Sequence, residues 1–342
     1  MRDIDGSYGE GGGQLLRTAC ALAAITGEAV RLHHIRARRA PPGLAPQHLT
    51  AVRAVAALCE ARVEGLALRS PELSFHPGKL RGGEFHFDVG TAGSVTLVLQ
   101  ALLPAALHAG APVRIQLAGG TDVRAAPALD YLRHILLPLL AQMGAEVQLT
   151  LRRRGYYPRG GGLVEVVVQP RGLRGLRLDV AGPVRQIHGI AHVSNLPTHI
   201  AARLRETAAR LLADIAPVDI EQQILGRDQA TGQGGAIVLW ARTDHALLGS
   251  SEVAQRGVPA ERIAGAAAQA LREDILAGAT LDLHASDQLL IYCALARGRS
   301  SFRARTLSSH AQTTLWLLQQ FLPLRAGSLA AGGATRVDIE PG

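Results

Sequence analysis

The sequence predicts an α+β fold: a large domain of three strand-helix repeats, residues 1–183 and 278–342, interrupted by a small inserted α/β domain over residues 184–277. Three observations carry this. Apolar helix-like segments that stop at glycine recur three times, each followed by a strand-like stretch and a second helix. The stretch between the second and third copies has a strand and helix pattern of its own. Hydrophobic residues make up 47% of the chain and aromatics only 4%, so the interior has to be layers of helix on sheet built from Ala, Leu, Val and Ile. At 342 residues the chain is about twice a typical domain length, enough for a large domain and a smaller one.

The first copy has its buried helix over 14–27, a strand over 29–35 and a second helix over 47–60. The second places these at 94–110, 112–117 and 128–144, and the third at 287–298, 301–306 and 311–321. Gly27, Gly110 and Gly298 supply the helix stops. Within the interruption, 201–212 and 260–276 read as helices and 235–241 as a strand. One irregular α/β domain whose Leu/Ala helices merely look alike is the competing reading.

A net charge of +8 favours a polyanionic partner, although arginine enrichment also follows from codon usage. Lys79 is the only lysine, so nearly every positive charge is a guanidinium, suited to forked contacts with phosphate. That scarcity excludes a P-loop and a ligase-type K-x-D-G lysine. Cys20, Cys59 and Cys293 have no paired spacing and read as buried reduced thiols. Apolar runs such as 19–24 and 97–107 are too short or interrupted to span a bilayer, and 1–5 lacks signal-peptide features. A cytoplasmic location without a membrane partner is expected.

Candidate chemistry concentrates where glycine-rich loops enter helices. Gly9-Glu-Gly-Gly-Gly-Gln-Leu-Leu-Arg17 surrounds one carboxylate with glycines just before a helix, where free N–H groups favour an anion. Glu10 is the candidate metal ligand there, and Arg17 lies one turn into the helix. Arg36-Ala-Arg-Arg39 ends a strand with clustered guanidinium groups, a phosphate site or simply a solvated charge run. Gln100 sits inside an apolar helix face and needs a polar partner, either backbone or a nucleotide. Gly119-Gly-Thr-Asp122 and Tyr157-Pro-Arg-Gly-Gly-Gly162 are turns or backbone surfaces open to a ligand. His284-Ala-Ser-Asp287-Gln288 and Ser308-Ser-His310 open two late helices, with Asp287 and Ser309 as candidate N-caps. An imidazole at such an entrance is kept neutral by the positive helix end and is able to attack phosphorus, although one histidine among 13 is more often structural.

Together these segments resemble the RNA 3'-terminal phosphate cyclase family over essentially the whole chain: G-E-G-G-G-Q-x-L-R, R-A-x-R-x-x-P-G-L-x-x-Q-H, G-S/T-A-G-S, G-G-T, Y-P-x-G-G-G, D-Q and the late histidine, all in order. The resemblance implies three repeats like the C-terminal domain of bacterial translation initiation factor three, plus a small inserted domain. It implies that His310 takes AMP from ATP, that the AMP passes to an RNA 3'-phosphate, and that the 2'-hydroxyl closes a 2',3'-cyclic phosphate. Glu10 would hold Mg2+ or Mn2+. Gln100, Pro127, His284, Ala285, Ser286, Asp287 and Gln288 would contact ATP, and Arg17, Arg36 and Arg39 the phosphates. RNA 3'-phosphate ends are the implied partner; the oligomeric state is open, a homodimer being one reading. Two positions depart from the family pattern: His284 stands where a tyrosine is usual, and Pro41 where bacterial relatives have a lysine.

Two rivals remain. A non-catalytic relative serving ribosome assembly is expected to lack the histidine that this chain keeps. An enolpyruvyl transferase is expected to have two near-equal domains, which the short insert and the late Ser-Ser-His disfavour.

Overall fold

The computed structural model describes all 342 residues. The chain enters as β1 (Arg2–Asp5), crosses through α1 (Gly13–Thr26) to β2 (Val30–His33), and follows α2 (Pro46–Cys59) with β3 (Arg62–Glu64) and β4 (Leu73–His76). The sheet runs β1-β2-β4-β3, parallel only between β1 and β2. The next stretch has the same connectivity. It comprises β5 (Gly83–Asp88), α3 (Val95–Ala106), β6 (Val113–Gly119), α4 (Leu129–Tyr131) running through a π-helical Leu132–Leu136 into α5 (Leu137–Gln142), then β7 (Glu146–Arg153) and β8 (Gly162–Gln169), in the order β5-β6-β8-β7.

A third sheet, ordered β10-β9-β11-β12, is built from β9 (Val184–Ser194), β10 (Val218–Leu225), β11 (Gly234–Thr243) and β12 (Leu247–Val253), with α6 (His199–Leu212) and α7 (Ala260–Leu276) packed together beside it. The chain ends with α8 (Leu283–Leu295), β13 (Ser300–Ala304), α9 (Ser309–Phe321), β14 (Leu324–Ala331) and β15 (Ala334–Pro341), in the order β13-β15-β14. Arg177 also bridges Ser301 in parallel, so chain from before β9 lies against β13. The architecture is α+β, and no helix is long and apolar enough to cross a membrane.

Side-chain alternation decides how the layers share their interior. On β11, Ile237, Leu239 and Ala241 join a cluster of 17 buried residues with α6 and α7, whereas Val238 and Trp240 join the main cluster of 73. Both faces of that strand are therefore buried, which is why it reads as one apolar run. The elements read from sequence lie within a few residues of those observed, with three corrections. Only α1 stops at its glycine, Gly27; α3 and α8 have their C-caps at Leu107 and Ala296, short of Gly110 and Gly298. Helix α8 begins at Leu283 and is capped by Asp282, and α9 is capped by Ser308, so neither Asp287 nor Ser309 is an N-cap. Strand β2 stops at His33 because His34 takes a left-handed φ of 52°.

Candidate active site

The glycine loop before α1 is pinned to α9. Gly9 and Gly11 have φ of 56° and 63°, which a residue with a Cβ adopts only at a cost, and a Cβ on Gly9 would collide with Thr313. The contact is close because the Glu10 N–H donates to Thr313 Oγ1 at 3.1 Å, while that hydroxyl donates to the Ser309 carbonyl at 2.7 Å. One turn on, the Gln14 amide donates to Thr314 Oγ1 at 3.0 Å. Two threonines thus hold the loop against the helix that carries His310.

Glu10 and His310 consequently face each other. The Glu10 carboxylate is 11% exposed; one oxygen is ion-paired with Arg39, and the other stands 3.6 Å from His310 Nδ1. That Nδ1 is sealed from solvent without a hydrogen bond, although the side chain as a whole is 43% exposed. The open edge of the ring is therefore the one bearing Nε2. Burial lowers the His310 pKa; Asp287 opposes this, and Arg39, Arg17 and His284 add to it. The imidazole is neutral at pH 7.

Behind them lies a second polar layer. Arg17 is buried, donates to Gln100 Oε1 at 2.9 Å, and leaves its Nε without a partner. Burial pushes its pKa down to about 10, so it remains charged at pH 7. Buried His48 is held neutral, its pKa lowered to about 3 by burial and by the charges of Arg17 and Arg36. Its Nδ1 accepts from the Ala45 N–H at 3.1 Å. Its Nε2 lies where a Cβ on Gly13 would fall, which accounts for glycine at the first position of α1. Gln100, Pro127 and Gln288 line one cleft with Thr96, Leu103 and Tyr292; its enclosed space of about 10 Å³ is about the room of one water.

The other sequence-predicted residues divide. Asp287 joins the group: its carboxylate accepts from Ser308 Oγ at 2.6 Å, and burial raises its pKa against the opposing pull of Ser308, His310 and His284. His284 is exposed and meets Tyr131 edge-on at 5.9 Å. Ala285 and Ser286 are fully buried, and the Ser286 hydroxyl is bonded to the Leu283 carbonyl. Arg36 braces its own loop, donating to the carbonyls of Pro41 and Gly43 at 3.1 and 2.7 Å. Arg39 reaches Glu10, and Arg38 reaches the Gly9 carbonyl at 3.4 Å.

A neutral histidine backed by a carboxylate, at a helix start beside a glycine loop and several guanidiniums, is suited to nucleophilic attack on phosphorus. The family model for RNA 3'-terminal phosphate cyclase matches residues 8–327. The chain belongs to the RNA 3'-terminal phosphate cyclase family. A protein of Nitrosospira multiformis with that name is 56% identical over all of this chain and 97% of its own length. Proteins with the same name from Hyperthermus butylicus and Ignicoccus hospitalis are 45% and 46% identical, covering 96% and 94% of this chain and 94% and 93% of their own. Among solved structures, the enolpyruvyl transferase NikO from Streptomyces tendae is 16% identical over 62% of this chain and 38% of that one, at a TM-score of 0.29.

Around this candidate site, Thr313, Thr314, His48 and Asp282 carry contacts that no role read from sequence anticipated. Asp282 accepts from Tyr131 Oη at 2.6 Å, from the Gly249 N–H at 2.8 Å, and from the two N–H groups that open α8. It thereby ties α4, β12 and α8 together beneath the His284–Gln288 segment. A helix-start aspartate is detectable in sequence, but its distant partners are not.

Proposed function

We propose that this chain, an enzyme of the cyclase family, uses ATP to convert an RNA 3'-terminal phosphate into a 2',3'-cyclic phosphodiester through an AMP carried on His310. The observation that carries the reading is the orientation of that ring, with Nδ1 sealed against Glu10 and Nε2 on the open edge. Nε2 attacks the α-phosphorus, an N–P bond forms, and the bond to the β-phosphate oxygen breaks to release pyrophosphate. Nδ1–H stays toward the Glu10 carboxylate, which offsets the charge the ring acquires. An oxygen of the RNA 3'-phosphate then displaces His310, giving an RNA-adenylate anhydride. The neighbouring 2'-hydroxyl attacks the terminal phosphorus, loses its proton and expels AMP, with proximity supplying much of the rate.

A magnesium or manganese ion fits this donor set. Such an ion needs only one or two protein carboxylates beside phosphates and water, and the Glu10 oxygen nearer His310 has no hydrogen-bond donor. Bound there with Glu10 as ligand, it would offset phosphate charge. Gln100, Pro127 and Gln288 are read as the nucleotide cleft, which has to widen to admit a base. Arg17 and Arg39 serve as phosphate contacts and Arg36 as support for their loop. The matching connectivity of the first two sheets, and the Arg177–Ser301 bridge beside β13, support reading residues 1–183 and 278–342 as three repeats with 184–277 inserted. Three free, buried cysteines accord with a cytoplasmic setting.

The test is intact-mass analysis of the protein mixed with ATP and magnesium or manganese, without RNA, under neutral to alkaline conditions that preserve a phosphoramidate. One added AMP is expected in the wild type and none in His310→Ala. A folded wild type that takes no adduct with either metal would overturn the mechanism and favour a non-catalytic RNA-binding role.

A further inference from the structure

On the far side of the glycine loop, two histidines and an aspartate converge. Adjacent residues of a strand point to opposite faces, yet the His33 and His34 rings meet edge to face with Nδ1 atoms 3.0 Å apart. The left-handed backbone of His34 is what brings its ring back. His34 Nδ1 also lies 3.3 Å from Asp5 Oδ1, an oxygen already held by the N–H and hydroxyl of Ser7 at 2.9 and 2.8 Å. All three residues can place a ligand atom within 4.8 Å of one another.

We propose that Asp5, His33 and His34 bind a divalent transition ion of the zinc type. Two imidazole nitrogens aimed at each other share at most one hydrogen bond, whereas a cation between them uses both lone pairs and the carboxylate at once. The surroundings match the proposal. Asp3 Oδ2 lies 3.5 Å from His33 Nε2, the placement by which a carboxylate orients a metal-bound imidazole and raises its basicity. Three protein ligands leave a fourth position for water. Imidazole donors select zinc, copper or nickel over magnesium, so this site is chemically distinct from the one at Glu10. Because Asp5 ends β1 and His33 ends β2, the ion would clamp the two strand ends from which the Glu10 and Arg39 loops depart.

The experiment is calorimetric titration of chelator-treated full-length protein with zinc chloride in excess magnesium. One zinc per chain is expected in the wild type and in Glu10→Gln. A His33→Ala/His34→Asn double variant, in which asparagine still tolerates the left-handed backbone, should bind on the order of 100-fold more weakly. Asp3→Asn should lose roughly 10-fold. Zinc should raise the melting temperature of the wild type but not of the double variant, whose melting without metal reports that it is folded. No stoichiometric zinc in the wild type, equal affinity in the double variant, or loss in Glu10→Gln instead would each overturn the site.

Discussion

Two clusters in this molecule use the same side chains, arginine, carboxylate and histidine, to opposite ends. Around Glu10 the outer groups are part-exposed: Arg39 is 49% and His310 43% exposed, over a buried Arg17 whose Nε is unpaired. At the seam between the second and third sheets, Arg154 is 3% exposed and Asp122 and Asp130 are wholly buried. Its guanidinium donates to Asp122 at 3.2 Å and to Asp130 at 2.5 Å, and His192 of β9, itself bonded to Tyr156, stands 3.7 Å from Asp122. Burial alone would raise the Asp122 carboxyl, but the Arg154 charge, His192 and the Thr121 hydroxyl together outweigh it and hold the group below the ordinary carboxylate range. Both clusters keep atoms without a hydrogen bond, since Asp122 Oδ1 and His192 Nε2 also lack one, but at the seam every group is sealed from solvent, whereas Arg39 and His310 stay open to it. The difference is burial, not residue type.

The largest test of that contrast sets the two arginines against each other. Arg154→Met removes the shared cation from two buried carboxylates, leaving Asp130 to Arg133 and Asp122 to the Thr121 hydroxyl and His192, and should cost about 3–5 kcal/mol. Arg39→Met breaks a half-exposed pair and should cost under about 1 kcal/mol. Denaturant unfolding of both variants at pH 7 measures this. Equal losses would mean that the seam is no more a structural lock than the site is.

The second test uses pH. His48 has its pKa lowered to about 3 in the fold from an ordinary 6.5, so the unfolded chain takes up the proton first. Wild-type stability should therefore fall as pH drops below about 6.5, by roughly 1.4 kcal/mol per unit from this group. His48→Asn, which keeps an acceptor toward the Ala45 N–H, should show a slope shallower by about that amount between pH 6 and pH 4.5. Parallel slopes would mean that His48 is hydrated in the folded protein.

Such groups also mark what sequence conveys and what it hides. The buried helices, the stop at Gly27, the glycine loop and the histidine at a helix start are local patterns, and each was legible because its cause lies within a few residues; Gly110 and Gly298 follow helices that end earlier, with C-caps at Leu107 and Ala296. Thr313 and Thr314 hold a loop about 300 residues away, at separations of 303 and 300, which no periodicity encodes. The Arg154 seam is likewise assembled from four stretches of chain. Capping was misplaced because Asp287 and Ser309 are polar residues near helix starts. Only the backbone shows that Asp282 and Ser308 have the extended φ, ψ a cap requires. Arg36 reads from sequence as a phosphate contact because a guanidinium's bonds to carbonyls of its own loop leave no trace in composition.

The smallest effect is the most informative about the site. Ser308 Oγ accepts from the Ala311 N–H at 2.9 Å and donates to Asp287 at 2.6 Å, so one hydroxyl both starts α9 and steadies the carboxylate near His310. Ser308→Ala should cost about 1 kcal/mol as a lost cap. It should also raise the Asp287 pKa further, because burial remains while the opposing hydrogen bond is gone. A more neutral Asp287 supports the charged form of His310 less, so the acid limb of AMP-adduct formation should move to lower pH. Ser308→Thr, which keeps the hydroxyl, should restore both. A stability loss with an unmoved pH profile would confine Ser308 to capping and remove Asp287 from the electrostatics of His310.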